Sequence, residues 1–158
     1  MLLTIEKVAY LKGVEIFADT PDHLLAAVAR ITEEVELYPN ETIIEEGEVG
    51  DSLYIVVEGE VRVHSQGKTL LTLGPGAVVG ELAVLDPEPR SATVTAEGDS
   101  LLFRIKKEPF DEVMADRPEI AQGVIRVLCK RIREEGRLFT EGREAGSMAT
   151  NQVEVSEE

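Results

Sequence analysis

Three observations predict an α+β chain, an antiparallel sandwich or jelly roll held between N-terminal helices and a C-terminal helix pair. Apolar residues recur at helical spacing before Val35 and again after Ile105, whereas between them the period falls to about two. Seven of the 13 glycines lie between Gly47 and Gly80, the punctuation of short strands joined by tight turns. The length, 158 residues, suffices for one core and not for two comfortable ones.

Each element follows from local pattern. Thr4 to Leu11 places Ile5, Val8 and Leu11 at helical spacing among charged residues, and Gly13 stops the run. Thr20-Pro21-Asp22 reads as an N-cap, a proline at the first helical position and an acid at the positive helix end, opening a helix to Glu33 with Leu24, Leu25, Val28 and Ile31 inward. Strands are expected at Glu34–Tyr38, Thr42–Glu45, Ser52–Glu58, Glu60–Ser65, Lys68–Leu73, Ala77–Val79, Ser91–Glu97 and Ser100–Ile105. Parallel pairing would need crossovers that this spacing lacks, so the strands pair antiparallel. Pro109 then heads a short helix to Ala115, and Pro118 heads a longer one to Arg137 with Ile120, Ala121, Val124, Ile125, Leu128 and Ile132 as its apolar stripe. Residues 1–139 form the domain, and residues 140–158 read as an acidic, flexible tail.

Composition restricts partners. The net charge of −15 argues against a nucleic acid surface. It is unevenly spread: residues 1–60 carry −11, residues 61–116 carry −3, residues 117–137 reverse to +3, and the last 21 carry −4. An anionic ligand can therefore still find a local positive site, because screening acts over about 8 Å. The lone Cys129 excludes an internal disulfide and multi-cysteine metal sites, which points to a reducing, cytoplasmic setting. The longest apolar run, Leu24 to Ala29, is far below the roughly 20 residues of a membrane span, so no membrane insertion is expected. His23 and His64 are isolated and Ser91 has no marked His and Asp partners, so neither a metal site nor an enzyme is predicted.

One segment breaks the strand pattern. Between Gly80 and Leu85 stand good helix formers too few for an independent helix, and a single helical turn there presents unpaired N–H groups to an anion. Gly80 permits close approach to the backbone, and Arg90, after Pro89, supplies a planar fork for two phosphate oxygens. Glu81 only accepts hydrogen bonds and so suits a sugar hydroxyl. The implied ligand is a phosphate with an adjacent sugar hydroxyl.

The run Glu46-Gly47-Glu48-Val49-Gly50-Asp51-Ser52-Leu53-Tyr54 through Val61, followed by Gly80-Glu81-Leu82-Ala83 and Arg90-Ser91-Ala92-Thr93-Val94, resembles the cyclic nucleotide-binding domains of catabolite-activator-type regulators, cyclic-nucleotide-dependent kinases and gated channels. The resemblance spans Ile16 to Arg137. It implies an antiparallel β-roll (a double-stranded jelly roll) and a ligand, cyclic AMP or cyclic GMP, with no cofactor. It further implies that Arg90 meets the cyclic phosphate, that Gly80, Leu82, Ala83 and Ala92 line it with Leu82 and Ala83 offering N–H groups, that Glu81 takes the ribose hydroxyl, and that Ser91 bonds phosphate or base. Cyclic AMP is favoured over cyclic GMP, although Ser91 can serve either base. Val79 departs from the aromatic residue many members carry before the Gly-Glu pair. The 21 residues after Arg137 are too few for a helix-turn-helix module.

The expected function is thus a regulatory sensor whose C-terminal helix moves when ligand binds, with Leu128, Arg131, Ile132 and Glu135 as lid candidates. An unidentified effector reads that helix, and its apolar stripe is also a candidate homodimer contact. The competing reading is a scaffold or interaction domain that regulates a transporter, channel or kinase without nucleotide. Gly47, Gly50 and Gly59 read as turn residues, and the bases from Arg126 to Arg137 as a solvated face.

Overall fold

The computed structural model describes residues 2–145. In chain order it forms α1 (Thr4–Leu11), a short 3-10 helix (Glu15–Phe17) and α2 (Asp22–Arg30). Ten strands follow: β1 (Glu33–Leu37), β2 (Thr42–Ile44), β3 (Val49–Gly50), β4 (Ser52–Glu58), β5 (Val61–Ser65), β6 (Lys68–Leu73), β7 (Val78–Val79), β8 (Glu88–Pro89), β9 (Thr93–Ala96) and β10 (Ser100–Lys106). Two helices, α3 (Lys107–Asp116) and α4 (Pro118–Ala145), close the described chain.

The strands make two four-stranded sheets, ordered β1-β10-β4-β7 and β2-β9-β5-β6, with β3-β8 as a separate two-stranded ribbon. All the pairings are antiparallel. Between the sheets lie Leu37, Ile44, Tyr54, Val56, Val61, Val94 and Leu102. The other face of the first sheet carries Leu53, Ile55, Val57, Phe103 and Ile105, packed against Leu11, Ile16, Phe17, Leu25, Phe110 and Ile120 from the helices. This explains why β4 reads as a nearly unbroken apolar run: alternate residues serve two cores, and all but Glu58 are buried.

Local chemistry moved several boundaries. Helix α2 starts one residue later than its proline suggested: Pro21 is extended (φ −65°, ψ 156°) and its carbonyl accepts from Leu24 and Leu25, both at 3.0 Å, so Pro21 rather than Thr20 is the N-cap. Helix α3 begins at Lys107, which puts Pro109 in the first turn, where its missing N–H has no intrahelical acceptor to lose. Helix α4 runs eight residues past Arg137 to Ala145, taking in residues 140–145 of the expected tail. Leu138, Glu141, Arg143 and Ala145 are good helix formers, and Arg137 pairs with Glu134 and with Glu141 (2.7 Å) along the helix face. The remainder of the expected tail, residues 146–158, lies outside the described residues.

Thr20, freed from capping, has a consequence. It is 7 % exposed, and its hydroxyl has no hydrogen-bond partner among the described residues. It lies against α4, since a Cβ on Gly123 would stand 3.3 Å from Thr20 Oγ1. An unsatisfied buried hydroxyl costs about 1–3 kcal/mol. Thr20→Val is therefore expected to stabilise the fold by about 1 kcal/mol in chemical denaturation; an unchanged or lower midpoint would show the hydroxyl to be satisfied in solution.

Candidate functional site

Arg90 is placed by its own backbone. Its N–H donates to the Glu48 carbonyl and its carbonyl accepts from Gly47 N–H, both at 2.8 Å, so the β3-β8 ribbon ties the glycine-rich loop to the end of the break. The guanidinium then threads a slot that only glycine leaves open. A Cβ on Gly50 would stand 1.8 Å from Arg90 Nε, and one on Gly80 2.4 Å from Nη1 and 2.8 Å from the Ser52 carbonyl. Gly80 also has φ +75°, a conformation costly for any other residue. Gly50, expected to be only a turn residue, is thus a clearance for Arg90.

In that slot Arg90 Nη2 donates to the Ser52 carbonyl at 2.8 Å, and none of the described ion pairs includes Arg90. Burial lowers its pKa below the ordinary arginine value, with Tyr54 and Asp51 offsetting only part of the effect. A partly desolvated cation without an ion pair among the described residues is chemically suited to an anion.

The segment between β7 and β8 is not the helical turn expected from sequence. Ala83 N–H donates to the Gly80 carbonyl (2.9 Å), Leu85 N–H to the Leu82 carbonyl (3.0 Å) and Asp86 N–H to the same carbonyl (2.8 Å), which makes consecutive turns. The flanking pairings to β4 and β3 clamp both ends, leaving too few residues to propagate a helix. Of the two amides expected to meet phosphate, that of Ala83 is therefore engaged, while no described backbone bond uses that of Leu82.

Gly80, Glu81, Leu82, Ala83, Arg90, Ser91 and Ala92 all line one cavity of ≈ 700 Å³. Its apolar lining comes from Ile44, Val63, Val78, Val79 and Val94 of both sheets. Only Arg131 of the four lid candidates borders it. Leu128 instead packs against the helix-side core, while Ile132 (68 % exposed) and Glu135 face outward.

Glu81 is already occupied. Its Oε2 accepts Ile16 N–H at 2.8 Å and its Oε1 accepts Arg131 Nη2 at 3.2 Å, while Arg131 Nη2 also donates to Glu15. Burial alone would lower the Arg131 pKa, but Glu81 and Glu15 hold it above its ordinary value. Arg126 and Lys130 both reach Asp19, at 3.3 and 3.4 Å. The basic stretch of α4 is thus not merely a solvated face: part of it seats α4 against the 3-10 helix. Sequence reading missed Glu15, Ile16 and Asp19; the reversal from −11 in residues 1–60 to +3 in residues 117–137 was the available signal.

The family described as "Cyclic nucleotide-binding domain" matches residues 34–117, more than half of the chain. This chain belongs to that family. The cyclic nucleotide-binding domain described here is 32% identical over 123 residues to the "CRP-like cAMP-activated global transcriptional regulator" of Mycobacterium tuberculosis, an alignment covering 75% of this chain and 55% of the relative. It superimposes with a TM-score of 0.73 and 32% identity on the N-terminal domain of a transcriptional regulator from Streptomyces coelicolor, covering 78% of this chain and 90% of that one. A cAMP-bound PfPKA-R structure aligns with a TM-score of 0.61 and 25% identity, covering 80% and 46% of the two chains. The domain spans about half the length of the curated relatives it matches. The two facing sheets, the N-terminal helices and the long C-terminal helix are the architecture of these neighbours.

Proposed function

We propose that the chain is a cyclic nucleotide sensor, a regulatory binding module rather than an enzyme, that takes cyclic AMP in preference to cyclic GMP. The observation that carries this reading is Arg90: a partly buried guanidinium without an ion-pair partner among the described residues, at the wall of a cavity that also holds Glu81 and the turn Gly80–Ala83. The phosphate meets Arg90 and the Leu82 amide, the ribose hydroxyl meets Glu81, and Ser91 reaches phosphate or base. The preference for the adenine ligand is supported by the cAMP-activated relative and the cAMP-bound neighbour. Arg131 places α4 within reach of the ligand, so occupancy shifts α4 and an effector protein or domain reads the shift. No helix of the described residues is long and apolar enough to cross a membrane.

Calorimetric titration of the full chain with cyclic AMP and with cyclic GMP tests the proposal. Saturable binding of one ligand per chain is expected, tighter for cyclic AMP. Absence of saturable binding of either at millimolar concentration overturns it in favour of a nucleotide-independent interaction domain.

A further inference from the structure

Glu81 serves two elements at once. One carboxylate oxygen holds the Ile16 N–H of the 3-10 helix at 2.8 Å, and the other holds Arg131 of α4 at 3.2 Å. The second bond is the longer, and Arg131 has an alternative acceptor in Glu15, with which it is already paired. The Ile16 amide, by contrast, is paired with Glu81 alone among the described hydrogen bonds. A hydroxyl donor arriving at Glu81 therefore meets one strongly held partner and one that can leave at small cost. The seat of α4 is itself poised: it is held by pairs from Asp19 to Arg126 and Lys130, whose basic side chains are more than half exposed, and it buries the orphan hydroxyl of Thr20.

We infer that Glu81 is the shared contact of a latch, in which the ligand's ribose hydroxyl displaces Arg131 from Glu81 onto Glu15, so that α4 stays with the 3-10 helix but is released from the turn segment that holds the phosphate. The inference rests on the sensor reading above and names its regulation. Its thermodynamic content is reciprocal: whatever factor the Arg131–Glu81 bond subtracts from ligand affinity, ligand subtracts from the docking of α4 on that segment.

Two single substitutions then act in opposite directions, which general destabilisation cannot imitate. Arg131→Met removes the competitor, and cyclic AMP is expected to bind at least about fivefold tighter, the low end of ordinary coupling factors. Glu15→Gln weakens the alternative acceptor, leaves Arg131 more firmly on Glu81, and is expected to weaken binding. Hydrogen exchange without added nucleotide supplies an independent readout: the Ile16 amide should keep its protection in both variants and lose it in Glu81→Ala, which removes the acceptor. Unchanged or weaker binding by Arg131→Met, or tighter binding by Glu15→Gln, overturns the latch while leaving the sensor reading intact. If neither the unmutated chain nor Arg131→Met binds nucleotide, the sensor reading fails and the latch with it.

Discussion

Arg90→Ala is expected to weaken cyclic AMP binding by about 2–5 kcal/mol, roughly 30- to 4,000-fold, while leaving the thermal midpoint almost unchanged. The two halves of this expectation come from the same geometry. Arg90 is partly desolvated and makes a single described side-chain hydrogen bond, to the Ser52 carbonyl. Removing it therefore deletes little native stabilisation and relieves a burial penalty. The ligand, however, loses its charge-assisted partner in a cavity where water competes less well than at an open surface. Arg90→Lys should recover only part of the affinity, because an ammonium keeps the charge without the planar fork. Calorimetric titration and a thermal melt on each variant decide the matter. Full affinity in Arg90→Ala would place the phosphate elsewhere, and a large fall in the midpoint would make Arg90 a structural residue.

Periodicity made the architecture legible, because each β-residue pattern and each helical stripe is set within a few neighbouring residues. Ser52–Glu58 and Lys68–Leu73 match their expected limits, and the turn-rich middle is the sandwich. What local pattern could not show is what depends on residues far apart in the chain. The β3-β8 ribbon joins Val49 to Pro89 through two-residue strands that leave no periodic trace. The slot for Arg90 depends on Gly50 and Gly80, distant in the chain, both leaving room beside the guanidinium. In the site, the residue types at Gly80–Ala83 and Arg90–Ala92 named the cavity lining, since that chemistry is compact in sequence. The prior engagement of Glu81 was invisible, because its partners Ile16 and Arg131 lie 65 and 50 residues away. The route by which α4 reaches the cavity is long-range for the same reason: of the lid candidates Leu128, Arg131, Ile132 and Glu135, the one that borders it is Arg131, a guanidinium drawn in by Glu15 and Glu81 from distant parts of the chain.

Phe17→Ala is expected to destabilise the fold by about 3–5 kcal/mol, the usual cost of deleting a buried aromatic side chain together with the cavity it leaves. Phe17 is 1 % exposed, and its ring meets that of Phe110 at 5.7 Å and 69°, in the core shared by the 3-10 helix, α3 and α4. At roughly 2–4 °C per kcal/mol for a chain of this size, the melting temperature should fall by about 6–20 °C. The position makes the substitution more than a packing test, since the preceding residue, Ile16, gives Glu81 the amide that orients its carboxylate. Leu37→Ala supplies the comparison. Leu37 lies in the separate core between the two sheets, and its loss costs about 2–5 kcal/mol without touching the 3-10 helix. If the 3-10 helix positions Glu81, Phe17→Ala weakens cyclic AMP binding measured well below its melting temperature, and Leu37→Ala does not. Equal losses of affinity in the two variants would mean that binding follows global stability. A loss confined to Phe17→Ala ties the site to the helix-side core.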